Sequence, residues 1–143
     1  MKNNTLMRSS LLALAMMAAG SAAFAETVVV VSAKSGASAL TADQVADIFL
    51  GKSNVLPGGG QAVPVDQADG ALRDDFYSKS TGKTAAQVKA YWSKQIFSGK
   101  GQPPKEVGDS AAVKTLVASN PNMIGYIDKG ALDGSVKPVL SLK

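Results

Sequence analysis

The chain has 143 residues and carries 15 Lys+Arg against 11 Asp+Glu, with no His and no Cys. The missing thiols and imidazoles exclude a disulfide framework, a Cys/His zinc site, a cysteine nucleophile and a Ser-His-Asp triad. General acid–base chemistry is left to carboxylates, Lys and Tyr, so composition already points away from an enzyme.

Lys2 and Arg8 precede a short apolar run, Leu11 to Gly20, and Ala23-Phe24-Ala25 places small residues at the −3 and −1 positions of a cleavage site. This is the pattern of a secretory signal peptide. A spanning helix needs about 20 apolar residues, and this run is shorter. The expectation is a signal peptide over 1–25 and one exported domain over 26–143, periplasmic if the cell is Gram-negative. No Cys follows the apolar run, so no lipid anchor is expected. Removing Lys2 and Arg8 from the formal charge of +4 leaves +2. With no Lys/Arg cluster in the sequence, and 4 Phe, 3 Tyr and 1 Trp in all, nucleic-acid binding is disfavoured.

Thr27 to Ser32 (TVVVVS) is β-branched and apolar on both faces, which predicts an interior strand of a sheet covered on both sides. Thr41 with Gln44 forms a capping box that opens a helix with Val45, Ile48 and Phe49 on one face, and Gly51 suits its end. Pro57-Gly58-Gly59-Gly60 reads as a surface loop rather than a phosphate cradle, because a short strand over 62–66 follows it and not a helix. Pro64 lacks an N–H and pushes that strand toward a sheet edge or a bulge.

Asp69 is expected to cap a short helix over 70–78 with Leu72 and Phe76 inward. A second capping box, Thr84 with Gln87, starts a helix through Phe97, whose Tyr91 and Trp92 are expected in the core. Gly99 to Pro104 is a loop. Asp109 or Ser110 caps a further helix with Val113, Leu116 and Val117, ended by Asn120-Pro121. Strands over 123–127 and 136–140 follow, the latter despite Pro138. Strands interleaved with helices predict an α/β layered domain, a mixed sheet with helices on both faces.

Thr81-Gly82-Lys83-Thr84 imitates the tail of a Walker A loop, but the glycine that motif needs five residues earlier is Tyr77. Asp74-Asp75 reads as a solvated helix face, and Ser35 and Ser38 have no candidate base. No catalytic set, metal site or cofactor motif stands out. The stretch with most binding potential is Asp66 to Arg73, which leaves a strand and enters a helix. Free N–H groups at the positive end of a helix dipole, with Gly70 permitting close approach and Arg73 offering a bidentate fork, suit an oxyanion. The same residues also suit an ordinary capped helix with a surface Arg, and chemistry alone does not choose.

Leu40 to Lys52 (LTADQVADIFLGK) resembles the "LT-x-x-x-L-x-x-I-F-x-G-K" signature of the phosphate-binding proteins of bacterial phosphate ABC transporters. The turn ending Arg73-Asp74-Asp75-Phe76 resembles that family's phosphate loop, and Val117 to Tyr126 (VASNPNMIGY) resembles its "V-x-x-x-P-x-x-I-G-Y" segment. The resemblance implies an α/β fold of the periplasmic-binding-protein type, at about one lobe where full-length members have two that hold phosphate between them. It implies an exported, non-catalytic solute-binding protein for phosphate or a related oxyanion, with an ABC permease or a sensor ectodomain as partner. Gln67, the amides of Gly70 and Ala71, and Arg73 would bind the anion. The family's loop reads roughly "R-S-D-G-S-G-T-R". Here Asp66 stands for the first Arg, Gln67 for the first Ser, Gly70 for the second Ser and Leu72 for the Thr. The alternative is a periplasmic protein-interaction or sensor-accessory module on the same scaffold, without small-anion binding.

Overall fold

A computed structural model describes residues 26–143; the expected signal peptide lies outside the described residues. Five strands form the main sheet. β1 (Thr27–Ser32) pairs antiparallel with both β6 (Met123–Asp128) and β7 (Val136–Leu142). β4 (Val63–Asp66) pairs parallel with β6 and with β5 (Lys105–Glu106), giving the order β5-β4-β6-β1-β7. The sheet is mixed, and β1 is interior as its apolar run predicts.

Period-two alternation divides β1 between two hydrophobic layers. Val29 and Val31 face a layer built with α1 (Ala42–Phe49), α2 (Ala71–Thr81) and α3 (Ala85–Phe97). Val28 and Val30 face the opposite layer, under Val113 and Val117 of α4 (Ser110–Ala118). Helices thus cover both faces. In the first layer the Phe76 ring stacks on Tyr126 with centroids 4.0 Å apart and meets Phe49 edge-on at 4.7 Å. Trp92 is buried, and the hydroxyl of Tyr91 donates to the Leu50 carbonyl at 2.6 Å.

Both capping boxes form. Thr41 Oγ1 accepts from the Gln44 N–H and Thr84 Oγ1 from the Gln87 N–H, and each Gln carboxamide accepts the cap N–H in return. Gly82, with φ 72°, closes α2 just before Thr84 opens α3, so the Walker-like residues are a helix–helix junction. The triple-glycine segment is the tip of a hairpin between β2 (Val55–Leu56) and β3 (Gly60–Gln61), two strands too short for periodicity to disclose. It packs backbone to backbone on the turn after β1: a Cβ on Gly36 would stand 2.5 Å from the Gly58 carbonyl oxygen.

Three placements differ from the sequence reading. Pro64 lies in a strand with neighbours on both sides rather than on an edge. It is tolerated because β5 pairs only from Val65 onward, so the missing N–H falls before that ladder begins. Pro138 sits on edge strand β7, where the register with β1 shifts between Val29 and Val30, and β7 runs on to Leu142. α2 begins at Ala71 with Gly70 as its N-cap and continues to Thr81; the Asp69 carboxylate turns instead to Arg73.

Gly125 lets α4 approach β6 closely. A Cβ there would lie 2.5 Å from Val113 Cγ1 and 3.3 Å from Val117 Cγ2. Both neighbours are β-branched and stiff, so Gly125→Ala is expected to cost about 1–3 kcal/mol of stability through overpacking, read as a lower urea midpoint.

Candidate functional site

β4 ends at Asp66, and five residues later α2 begins. Across this turn the loop after β5 brings Gly108 and the start of α4 alongside; the Ala68 N–H donates to the Gly108 carbonyl at 2.9 Å. The N-termini of α2 and α4 therefore flank one concavity of about 520 Å³, lined by residues 67–73, 107–109 and Ala112.

The two helix starts are built differently. Asp109 caps α4, its carboxylate accepting from the Ala112 N–H at 3.0 Å. Ser110 turns inward, its hydroxyl oxygen accepting from the Asp128 N–H. α2 has no side-chain cap, and its first intrahelical bond is from Asp74 N–H to the Gly70 carbonyl at 3.0 Å. The amides of Ala71, Leu72 and Arg73 precede that bond and have no helical acceptor. α1, α3 and α4 are each capped by a side chain, so α2 is the uncapped α-helix among the described residues. Gly70 has extended backbone, φ 164°, and a Cβ there would have only the Ala68 carbonyl oxygen near it, at 3.9 Å. Glycine is not required there by backbone or packing.

Beneath the concavity lies a buried polar cluster. The Asp66 carboxylate accepts hydrogen bonds from the hydroxyls of Tyr77 (2.6 Å) and Tyr126 and from the Gln67 N–H (2.8 Å). Arg73 Nη2 stands 3.5 Å from the same carboxylate. Arg73 Nη1 donates to Asp69 Oδ1 at 2.8 Å and lies 3.8 Å from Glu106 Oε2. Burial lowers the guanidinium's pKa, but the facing Asp66 charge helps bring it above its ordinary value. Arg73 is therefore a fixed cation facing three carboxylates, of which Asp66 is buried and Asp69 and Glu106 are largely exposed.

Of the residues read as anion contacts, Gly70, Ala71 and Arg73 line the concavity with unpaired amides or a guanidinium. Gln67 lines it too, but its side chain is spent inside: Nε2 donates to the Tyr126 carbonyl at 2.7 Å and to the Ser110 hydroxyl at 3.2 Å. Its role in this geometry is to tie the turn to β6 and α4. Sequence reasoning did not place Tyr77, Tyr126, Ser110 or Glu106 at the site; the alternation within Met123–Ile127 already sets Tyr126 on one face with Ile124, and that was the available signal.

Burial and the adjacent Asp66 charge push both phenols, Tyr77 and Tyr126, well above their ordinary value of 10.0. The folded state therefore holds these protons more tightly than the unfolded chain. The resulting stability is complete below about pH 10 and is lost as the unfolded-state phenols ionise above it. With both groups acting, the loss steepens through pH 10 and approaches roughly 3 kcal/mol per pH unit once both unfolded-state phenols are ionised. Chemical denaturation across the alkaline range checks this, and Tyr77→Phe should halve the slope.

Neither a protein-family model nor a curated protein matches the sequence. Solved structures do. A protein described as a phosphate ABC transporter substrate-binding protein with bound phosphate, from Clostridium perfringens, matches with a TM-score of 0.63 and 27% identity over 80% of this chain and 44% of that one. An ABC-type phosphate transport receptor from Vibrio cholerae matches with a TM-score of 0.64 and 25% identity, over 80% and 45% of the two chains. PstS from Borrelia burgdorferi shares the fold with a TM-score of 0.58 at 12% identity, over 80% of this chain and 46% of that one. The chain thus spans less than half the length of the structures it matches, and its fold is that of one lobe of phosphate-transporter substrate-binding proteins. Among the described residues no helix is long and apolar enough to cross a membrane.

Proposed function

We propose that the chain is an exported, non-catalytic solute-binding protein that takes phosphate or a related oxyanion at the α2 N-terminus, for ABC-type uptake or sensing. The observation that carries this reading is the convergence of an uncapped helix start, with its unpaired amides, and the Arg73 guanidinium on one concavity. The likeness to a phosphate-bound structure supports it.

The anion displaces Asp69 rather than Asp66. Asp69 is 66% exposed, and a pair of that kind is worth about 0–1 kcal/mol. Charge-assisted hydrogen bonds to an oxyanion are worth roughly 1.5–3 kcal/mol each. Asp66 stays, held by two phenols and an amide. It offsets one positive charge, so binding is weaker than in a site with two cations. Phosphate at 100 times its dissociation constant should add about 2.7 kcal/mol of stability, a shift of several degrees for a domain of this size. A melting temperature indifferent to millimolar phosphate and sulfate would count against anion binding.

The second reading is a protein-interaction module, for example for a sensor ectodomain or a permease, with no small ligand. The carboxylates of Asp66, Asp69 and Glu106 around Arg73 favour it, because they already satisfy the cation. Under that reading Arg73→Ala leaves a captured partner bound, whereas under the first it removes the phosphate response.

A further inference from the structure

Acidic and basic residues are unevenly spread along the chain. Between Asp75 and Glu106 there are six lysines and no carboxylate, and because the lysines are four to six residues apart no contiguous run marks them. α3 occupies the middle of this segment, and its buried residues are Val88 and Trp92. At roughly 100° per residue, Phe97 projects on the side opposite Val88, with Lys94 about 60° to one side and Lys89 about 80° to the other. Burial agrees with this placement: Phe97 is 95% exposed and Ile96 54% exposed, and Lys89, Lys94 and Lys100 are all exposed. Lys89 has a neighbour in Asp69 at 3.6 Å, an ion pair exposed on both sides and released at little cost.

We propose that this outward face of α3 docks on an anionic bilayer surface, with Phe97 and Ile96 entering the headgroup region and Lys89, Lys94 and Lys100 meeting lipid phosphates. A protruding apolar tip inside a cationic collar is complementary to a surface that is negative outside and apolar beneath. A second copy of the chain fits poorly. It brings the same exposed lysines to the interface, so the cationic collar would meet like charge. The attachment is reversible, because two apolar side chains and a few lysines fall far short of a spanning segment. It does not require an anion in the concavity.

The test is co-sedimentation with vesicles of phosphatidylglycerol and phosphatidylcholine in equal parts, against vesicles of phosphatidylcholine alone, comparing proteins with identical N-termini so that residues 1–25 contribute equally. The protein is expected to favour the anionic vesicles, and the excess should disappear at high salt. Each lysine near the surface contributes about fivefold, so the double substitution Lys94→Glu, Lys100→Glu should lower the excess at least 25-fold, about fivefold squared. Phe97→Ser should lower it several-fold with an unchanged melting curve, since Phe97 packs on nothing. No excess on the anionic vesicles overturns the proposal and returns this face to a protein partner. An excess undiminished in either variant overturns it as well.

Discussion

Asp66→Ala is expected to destabilise the protein by about 3–5 kcal/mol, the largest effect of any single substitution in the turn. The carboxylate accepts from two phenols that lie on different elements, Tyr77 on α2 and Tyr126 on β6, and from the amide of Gln67. Its removal leaves both hydroxyls without that acceptor, at about 1–3 kcal/mol each, and opens a void where the side chain was buried, only 4% exposed. It also strips Arg73 of its only buried counter-charge. Asp66→Asn keeps one acceptor and should fall between Ala and the native residue. Urea denaturation measures both, and a loss below about 1 kcal/mol for Ala would show that the cluster does not hold the turn.

The second large effect concerns binding. Arg73→Ala is expected to weaken phosphate at least tenfold, because it removes charge-assisted bonds worth about 1.5–3 kcal/mol each. Asp69→Asn should act in the opposite direction. It leaves the buried cluster intact and removes a carboxylate 2.8 Å from the guanidinium. The exposed pair that carboxylate makes with Arg73 is worth about 0–1 kcal/mol, so phosphate should bind up to about fivefold more tightly to Asp69→Asn. Calorimetric titration of the two variants side by side decides the matter. Opposite shifts support displacement of Asp69 by the anion. Parallel losses mean that Asp69 contributes to the ligand and does not compete with it.

Much of the fold was legible where a local rule acts alone. The capping boxes at Thr41/Gln44 and Thr84/Gln87 fix two helix starts from residues three apart, and TVVVVS declares a strand buried on both faces. Reading failed where a distant partner overrides a local rule. Asp69 has the residue type of a cap, but Arg73 one turn along α2 takes its carboxylate, so the cap passes to Gly70. Gln67 looks like a ligand-contacting amide in sequence, and only the return of β6, almost sixty residues later, shows that its side chain is committed inside. Asp66 in place of an expected arginine reads as a charge loss; in space it is the acceptor that organises Tyr77, Tyr126 and Arg73. β5, two residues long, carries no periodicity at all, yet it brings Glu106 within 3.8 Å of Arg73.

The most direct measurement is a phosphate titration followed by amide NMR on the uniformly labelled protein. Binding at the start of α2 predicts saturable shifts concentrated at Gly70, Ala71, Leu72 and Arg73, with Gly108 and Ala112 across the concavity moving less and the rest of the sheet unmoved. Shifts that never saturate, or that gather anywhere other than this helix start, would contradict it.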